Sequence, residues 1–309
     1  MKWGLIINFV LLLKDKLKRH FYKTFYKYTY DKSYSIISKL NVKNINNTIK
    51  MLLNTNKSIS RFGDGEFRWL LNDNHDSFEK SSKLLSDRLK EVLNSKNPNL
   101  MIGLPDSFIS INQFTCKVRK FWELFFAEYG KAIIPYLNNN KCYYNTNVSR
   151  VYMDYKNKSK SKYYFYNLKK IWNSRKLLIV EGSQSRLGVG DDLFDNAKCI
   201  RRIECPVIDA FESYKYILKS AIKFLNVNEN YLTLLSLGPT ATILAYDLCD
   251  LGYRSIDIGH IDIEYDWYCM KTRKKINIKN KYVNEVRFGK NAKPIYDKQY
   301  NNQIVRIID

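Results

Sequence analysis

The sequence predicts an α/β fold: a Rossmann-like, mainly parallel sheet flanked by helices, with an added N-terminal helix. Two observations carry that expectation. Beyond residue 40, short apolar runs of strand length alternate with amphipathic segments of helix length, the order from which parallel sheets with helical crossovers are built. The chain is also 309 residues long, 45% hydrophobic and 15% aromatic, enough apolar material for a large core. That composition excludes wholesale disorder and fibrous classes.

Taken in order, the first element is an N-terminal extension over residues 1–40. Trp3 to Leu13 form an apolar run of eleven residues containing Gly4 and Asn8. As a helix the run reaches about 16 Å, against about 30 Å of bilayer hydrocarbon, so it does not span a membrane alone. KDKLKRHFYK follows it where a secretory signal would need small residues for cleavage. From Lys14 to Lys32 there are seven Lys or Arg and two Asp, interleaved with six Phe or Tyr. Ile6, Val10, Leu13, Leu17, Phe21, Phe25 and Tyr28 recur at near-helical spacing and define one apolar stripe. A basic, aromatic, amphipathic helix of this kind suits the surface of an anionic membrane, on the cytoplasmic face. The same stripe would equally serve a helix docked on the globular body.

Residues 41–309 are expected to form the α/β body. Strand-like runs fall at Ser58–Phe62, Leu100–Leu104, Leu177–Glu181, Leu232–Leu237 and Ser255–Ile258. Helical patterns fall near Lys80–Leu93, Thr115–Tyr129, Tyr163–Trp172, Ser213–Leu225 and Ala241–Leu251. In the first of these, Leu84, Leu85, Leu89, Val92 and Leu93 are expected to share the buried face. Residues 138–162 are polar and tyrosine-rich and read as a surface excursion. Six cysteines without a C-x-x-C pair, and only three histidines, exclude zinc spacing and read as reduced core thiols in a cytosolic protein.

Charge is a weak guide to function. Lys plus Arg number 52 against 30 Asp plus Glu, a net charge of +22 that attracts polyanions of any kind. The basic residues are spread through the chain and no helix-turn-helix or RNA-binding signature accompanies them, so nucleic acid is not an expected partner.

Four segments could carry chemistry. In Arg61-Phe62-Gly63-Asp64-Gly65-Glu66, directly after a strand, persisting strand geometry would turn Asp64 and Glu66 to one side. Paired carboxylates hold hard divalent ions such as Mn2+ or Mg2+, and Gly63 and Gly65 would let a ligand approach the backbone; a surface turn is the alternative. Leu177–Glu181 runs into Gly182, Ser183, Ser185 and Arg186, which suits phosphate at the carboxyl end of a sheet, although a plain turn fits as well. Gly238-Pro239-Thr240 opens a helix, with Thr240 as its possible cap and free N–H groups for a diphosphate. Finally, the alternation in Gly259-His260-Ile261-Asp262-Ile263-Glu264 would place His260, Asp262 and Glu264 on one strand face as acid/base candidates.

Together the stretches SISRFGDGEF, SRVYMDYKNKS, LLIVEGSQSRLGVGDDLF, LSLGPTATILAYDL, LGYRSIDIGHIDIEYDWY and KNKYVNEV resemble the GT-D-fold glycosyltransferases. These are bacterial enzymes that transfer sugar from a nucleotide sugar in glycoprotein and surface-glycan assembly. The resemblance runs in family order from about Ile45 to Val286. It implies a Rossmann-like glycosyltransferase domain with a divalent cation at a D-x-E motif, here Asp64 and Glu66. It further implies that Arg61, Gly182, Ser185, Arg186, Gly238 and Thr240 line the nucleotide site. The implied donor is UDP-linked glucose or a related hexose; the acceptor is a glycan, glycoprotein or lipid-linked glycan. Two departures stand out: Asp191 where the family carries Asn in Gly-Asn-Asp, and Asp209 where it carries Asn before Ala-Phe. A carboxylate near a diphosphate is unfavourable unless paired or turned away. Two other readings are a non-enzymatic membrane- or nucleic-acid-binding protein, and a hydrolase or phosphotransferase working at the same metal site.

Overall fold

A computed structural model describes residues 24–73, 77–290, 292 and 296–309. The first half of the chain supplies α1 (24–37), β1 (Asn41–Val42), α2 (Ile45–Asn54), β2 (Ser58–Arg61), α3 (Asp64–Leu70), α4 (Lys83–Leu93), β3 (Leu100–Leu104), α5 (Cys116–Ile133), β4 (Cys142–Asn145) and α6 (Ser161–Trp172). The second half supplies β5 (Lys176–Gly182), β6 (Cys199–Cys205), α7 (Tyr214–Val227), β7 (Tyr231–Ser236), α8 (Pro239–Asp250), β8 (Ser255–Asp257), α9 (Ile261–Cys269), α10 (Lys298–Gln303) and β9 (Ile304–Ile307). The strands form one parallel sheet in the order β1-β4-β3-β2-β8-β7-β5-β6-β9.

Both faces of the sheet are covered, and the central strands show why. Leu177 and Ile179 of β5 pack with residues of α2, α6 and α9, while Leu178 and Val180 pack with α7 and α8. Alternate residues thus enter two cores, which is why the strand reads as a continuous apolar run. From β2 the chain crosses to β3 on one side, whereas β8 is reached from β7 on the other. The crevice between the carboxyl ends of β2 and β8 is therefore a topological switch point, the usual ligand site of an open α/β sheet.

Several expectations need correction. Residues 138–162 are not a surface excursion: they contain β4, and Tyr143, Val148, Val151, Tyr152 and Met153 are buried. Asn145 is tolerated there because its N–H meets Thr48 Oγ1 at 2.9 Å and its amide meets Asp106 Oδ1 at 2.9 Å. Leu84 does not join the buried face of α4; it is 62% exposed. All six cysteines are free, but Cys116 and Cys269 are exposed rather than core thiols.

At the N-terminus, residues 1–23 lie outside the described residues, and with them Trp3–Leu13 and the stripe from Ile6 to Phe21. In α1 the expected stripe members Phe25 and Tyr28 are exposed. The face that docks is Tyr30, Ser33, Tyr34 and Ile37, with the Tyr34 ring 5.4 Å from Phe126 of α5. That i, i+3, i+4, i+7 spacing is the ordinary one for a helix laid on a core. Among the described residues no helix is long and apolar enough to cross a membrane.

Candidate active site

Arg61 and Asp257 close the carboxyl ends of β2 and β8 on each other. Arg61 Nη2 lies 3.0 Å from Asp257 Oδ1. Asp257 also accepts the backbone N–H groups of Arg61 (3.3 Å) and Gly259 (3.1 Å) and the Thr242 hydroxyl (3.3 Å). The other guanidinium nitrogen donates to Thr146 O at 3.2 Å and to Ser149 Oγ, in the loop after β4. One side chain thus ties three strand ends together. Gly259 has φ +42°, and a Cβ there would run into the Arg61 guanidinium, so the residue has to be glycine twice over.

Asp64 and Glu66 follow directly, but not in strand geometry. The strand stops at Arg61 and α3 starts at Asp64. Residues two apart on a helix point about 200° apart, so the expected shared strand face does not exist. Instead Glu66 folds back on the helix start, where its Oε2 accepts the Gly63 N–H at 2.7 Å. Burial pushes the Glu66 carboxyl up to about 7, with the charges of Asp257 and Asp64 adding to it. Burial likewise raises Asp64, against the opposing pull of Arg150 and Arg68. Gly65 does not serve ligand approach: its missing Cβ makes room for the Trp69 ring, which it would meet at 2.7 Å.

The segment expected to be a strand carrying His260, Asp262 and Glu264 is helix α9, with His260 at its N-cap. The three do not share a face. Asp262 is 1% exposed; it accepts the Gly188 N–H at 2.6 Å and lies 2.8 Å from Lys281 Nζ. Glu264 is equally buried and accepts the N–H groups of Tyr152 and Met153, both at 3.0 Å. Neither presents a carboxylate to solvent; they fasten the loops after β5 and β4 to α9. His260 is half-buried. Burial first, then Arg150, depress its pKa to about 4, although Glu285 opposes. It is neutral at pH 7. Native stability should therefore rise with pH from about 4 to the ordinary value of 6.5, where only the unfolded chain holds that proton. His260→Gln should flatten that part of the stability profile. An imidazole NMR titration with its midpoint at the ordinary value would contradict the assignment.

This geometry agrees with a known family: the chain matches the glycosyltransferase GT-D fold over residues 59–286. It belongs to that family. Glycosyltransferase GlyD of Streptococcus pneumoniae is 37% identical over 266 residues, 86% of this chain. The probable glycosyl transferase Gly of Streptococcus gordonii is 38% identical over 270 residues, again 86% of this chain. The chain spans only 32% and 39% of the lengths of these two relatives. Among solved structures, a glycosyltransferase (DUF1792) from Streptococcus sanguinis superposes with TM-score 0.82 at 36% identity, covering 87% of this chain and all of that one. A domain described as having a distinct glycosyltransferase fold gives TM-score 0.83, also at 36% identity, over 91% of this chain.

Against the GT-D frame, the departures at Asp191 and Asp209 acquire a reason. Asp191, Asp262 and Asp266 bring carboxylate oxygens within 4.8 Å of one another, a set that could hold a metal ion. Lys281 Nζ stands among them at 2.9, 2.8 and 2.9 Å, so an ammonium already supplies the balancing charge. Burial works against that charge, but the three carboxylates outweigh it and raise the Lys281 pKa. Asp209, at φ +55°, pairs with Lys80 at 2.9 Å. Both additional carboxylates are matched by a lysine.

The remaining residues expected to line the nucleotide site are distributed over the loops after β5 and β7, which are neighbouring strands. Gly182 ends β5 and Ser185 turns back on it, with Ser185 N–H donating to Gly182 O at 2.8 Å. Arg186 is buried at φ +52° and donates to Asn280 O. Gly238, not Thr240, is the N-cap of α8, and it lies under Phe78. Thr240 is fully buried and its hydroxyl donates to Glu79 Oε2 at 3.3 Å. Three charged residues that motif reasoning passed over stand beside these groups. Arg150 pairs with Glu285, and both act electrostatically on Asp64 and His260. Lys275 joins them through Glu285 and Asp154. Arg150 and Glu285 were signalled in the sequence only by membership of the SRVYMDYKNKS and KNKYVNEV stretches, and Lys275 lies outside both.

Proposed function

We propose that this domain transfers glucose or a related hexose from a UDP-linked donor to a glycan, glycoprotein or lipid-linked glycan acceptor. The observation that carries the reading is the match to the glycosyltransferase GT-D fold over residues 59–286, with Asp64 and Glu66 opening α3 at the switch point, where burial and the charge of Asp257 push Glu66 up to about 7. An all-oxygen, partly buried carboxylate set under mutual repulsion is what a hard divalent cation, Mn2+ or Mg2+, would relieve. Asp64 and Glu66 would hold it, since Asp257 is committed to Arg61. When bound, the cation supplies positive charge against the diphosphate that leaves the sugar.

The protein's own groups do the rest. Arg61 keeps the ends of β2, β8 and the β4 loop in fixed relation, so the carboxylates are preorganised. Arg150 and Arg68 bring positive charge to Asp64 and so offset part of the cost of its burial. Neutral His260 offers a hydrogen bond without adding charge. Gly182, Ser185 and Gly238, at the ends of β5 and β7, are the proposed nucleotide neighbours; Arg186 and Thr240 support them from behind. Residues 1–32 would hold the domain on the anionic, cytoplasmic face of a membrane through basic and aromatic side chains. Co-sedimentation with anionic vesicles that survives high salt would count against that placement.

The test of the transfer reading is ligand-dependent stability combined with product release. A UDP-hexose at 100 times its dissociation constant should add about 2.7 kcal/mol to unfolding stability, and only with the cation present. UDP release should then require added acceptor. Release at the same rate without acceptor would favour the hydrolase reading, and stabilisation by no nucleotide sugar would remove the transferase reading.

A further inference from the structure

The pole of the sheet opposite Asp64 and Glu66 holds a cavity of about 410 Å³. It opens where five strands begin: Ser58 starts β2, Asn99 precedes β3, Arg175 precedes β5, Asn230 precedes β7 and Arg254 precedes β8. Among the described residues no carboxylate lines it. Arg254 donates to Leu52 O and, at 3.4 Å, to Lys57 O, while its Nη1 is buried without a partner. Burial and the neighbouring Arg175 both weigh against the charge on Arg254. Among the described residues neither guanidinium is in an ion pair. Two like charges thus face one cavity with a donor left over, an arrangement that costs energy unless an anion shares it. The amides of Asn56, Asn99 and Asn230 add neutral donors around the same space.

We propose that this cavity is a second anion site and takes a phosphate-bearing ligand between Arg175 and Arg254. Guanidinium forks grip phosphate oxygens in pairs, and the amides satisfy the oxygens that remain. The site lies at the amino ends of the strands, so it is separate from the donor crevice and does not rest on the transfer reading.

Calorimetric titration of the full chain with inorganic pyrophosphate, without divalent cation and at low salt, tests it. Wild-type protein should bind at one site, and Arg175→Gln should weaken binding about tenfold through loss of one charged fork. Arg175 is exposed, so this variant should fold. Arg254→Lys, which keeps the charge and loses the fork, should weaken binding as well. Rising salt should weaken the wild-type interaction. Sugar transfer by Arg175→Gln should run at the wild-type rate, which separates a failure here from a failure of the transfer reading. Pyrophosphate binding unchanged in Arg175→Gln, or absent from wild type, would overturn the proposal.

Discussion

Replacing Asp64 by Asn, or Glu66 by Gln, should lower sugar transfer by about 10²–10³-fold, the scale seen when one preorganised electrostatic group is removed. Neither change should unfold the protein. Burial raises the pKa of both carboxyls, so the folded domain holds their charged forms at a cost. A neutral amide of the same shape removes that cost, and the melting temperature of the ligand-free domain should stay level or rise. Gln at 66 can still accept the Gly63 N–H through its amide oxygen, so the start of α3 is kept. Activity and stability moving in opposite directions is the signature of residues kept for function. The check is a rate measurement with acceptor beside a thermal melt of each variant. Transfer that remains cation-dependent and undiminished in both would remove Asp64 and Glu66 from the site.

The parts of the fold that were legible in the sequence are those where one physical demand dominated. β2, β3, β5, β7 and β8 lie centrally in the sheet and are covered on both sides, so only an apolar run of strand length would serve there. β6 was not legible because Arg201, Arg202 and Glu204 make it look like surface. β4 hid in a run of Tyr and Asn, whose rings and amides are buried with their polar ends bonded. The misreading of α9 has a similar origin. Every residue from Ile261 to Trp267 is buried, so the helix shows no amphipathic stripe, and its Ile-Asp-Ile-Glu order imitates a strand. Arg61, Asp64 and Glu66 stand out as candidates in the sequence because six consecutive residues carry two carboxylates, a guanidinium and two glycines. Arg150 and Glu285 do not, because 135 residues separate two partners that only the folded chain joins.

Arg202→Met should destabilise this domain by about 3–5 kcal/mol, the usual penalty for orphaning a buried charge. Arg202 and Glu181 are 2% and 0% exposed and pair within the sheet between β6 and β5. Arg202 also donates to Leu187 O at 2.8 Å and to Gln303 Oε1 at 2.7 Å, and it lies over the Tyr300 ring at 4.7 Å. Met fills much of the volume but leaves Glu181 without a cation. Burial already raises the Glu181 pKa, and losing Arg202 removes the strongest opposing influence. An acid whose folded pKa lies above its unfolded value loses stability as pH climbs from the unfolded value upward. The variant should therefore be closest to wild type near pH 5 and furthest from it near pH 8. Adding Glu181→Gln should recover much of the loss, because the amide is neutral and can still accept the Leu187 N–H that Glu181 now holds at 2.7 Å. Glu181→Leu should recover less, since that N–H would then be buried without an acceptor. Urea unfolding of the three variants at both pH values decides it. A loss below about 1 kcal/mol for Arg202→Met, or one independent of pH, would mean that Glu181 carries no charge in the native sheet.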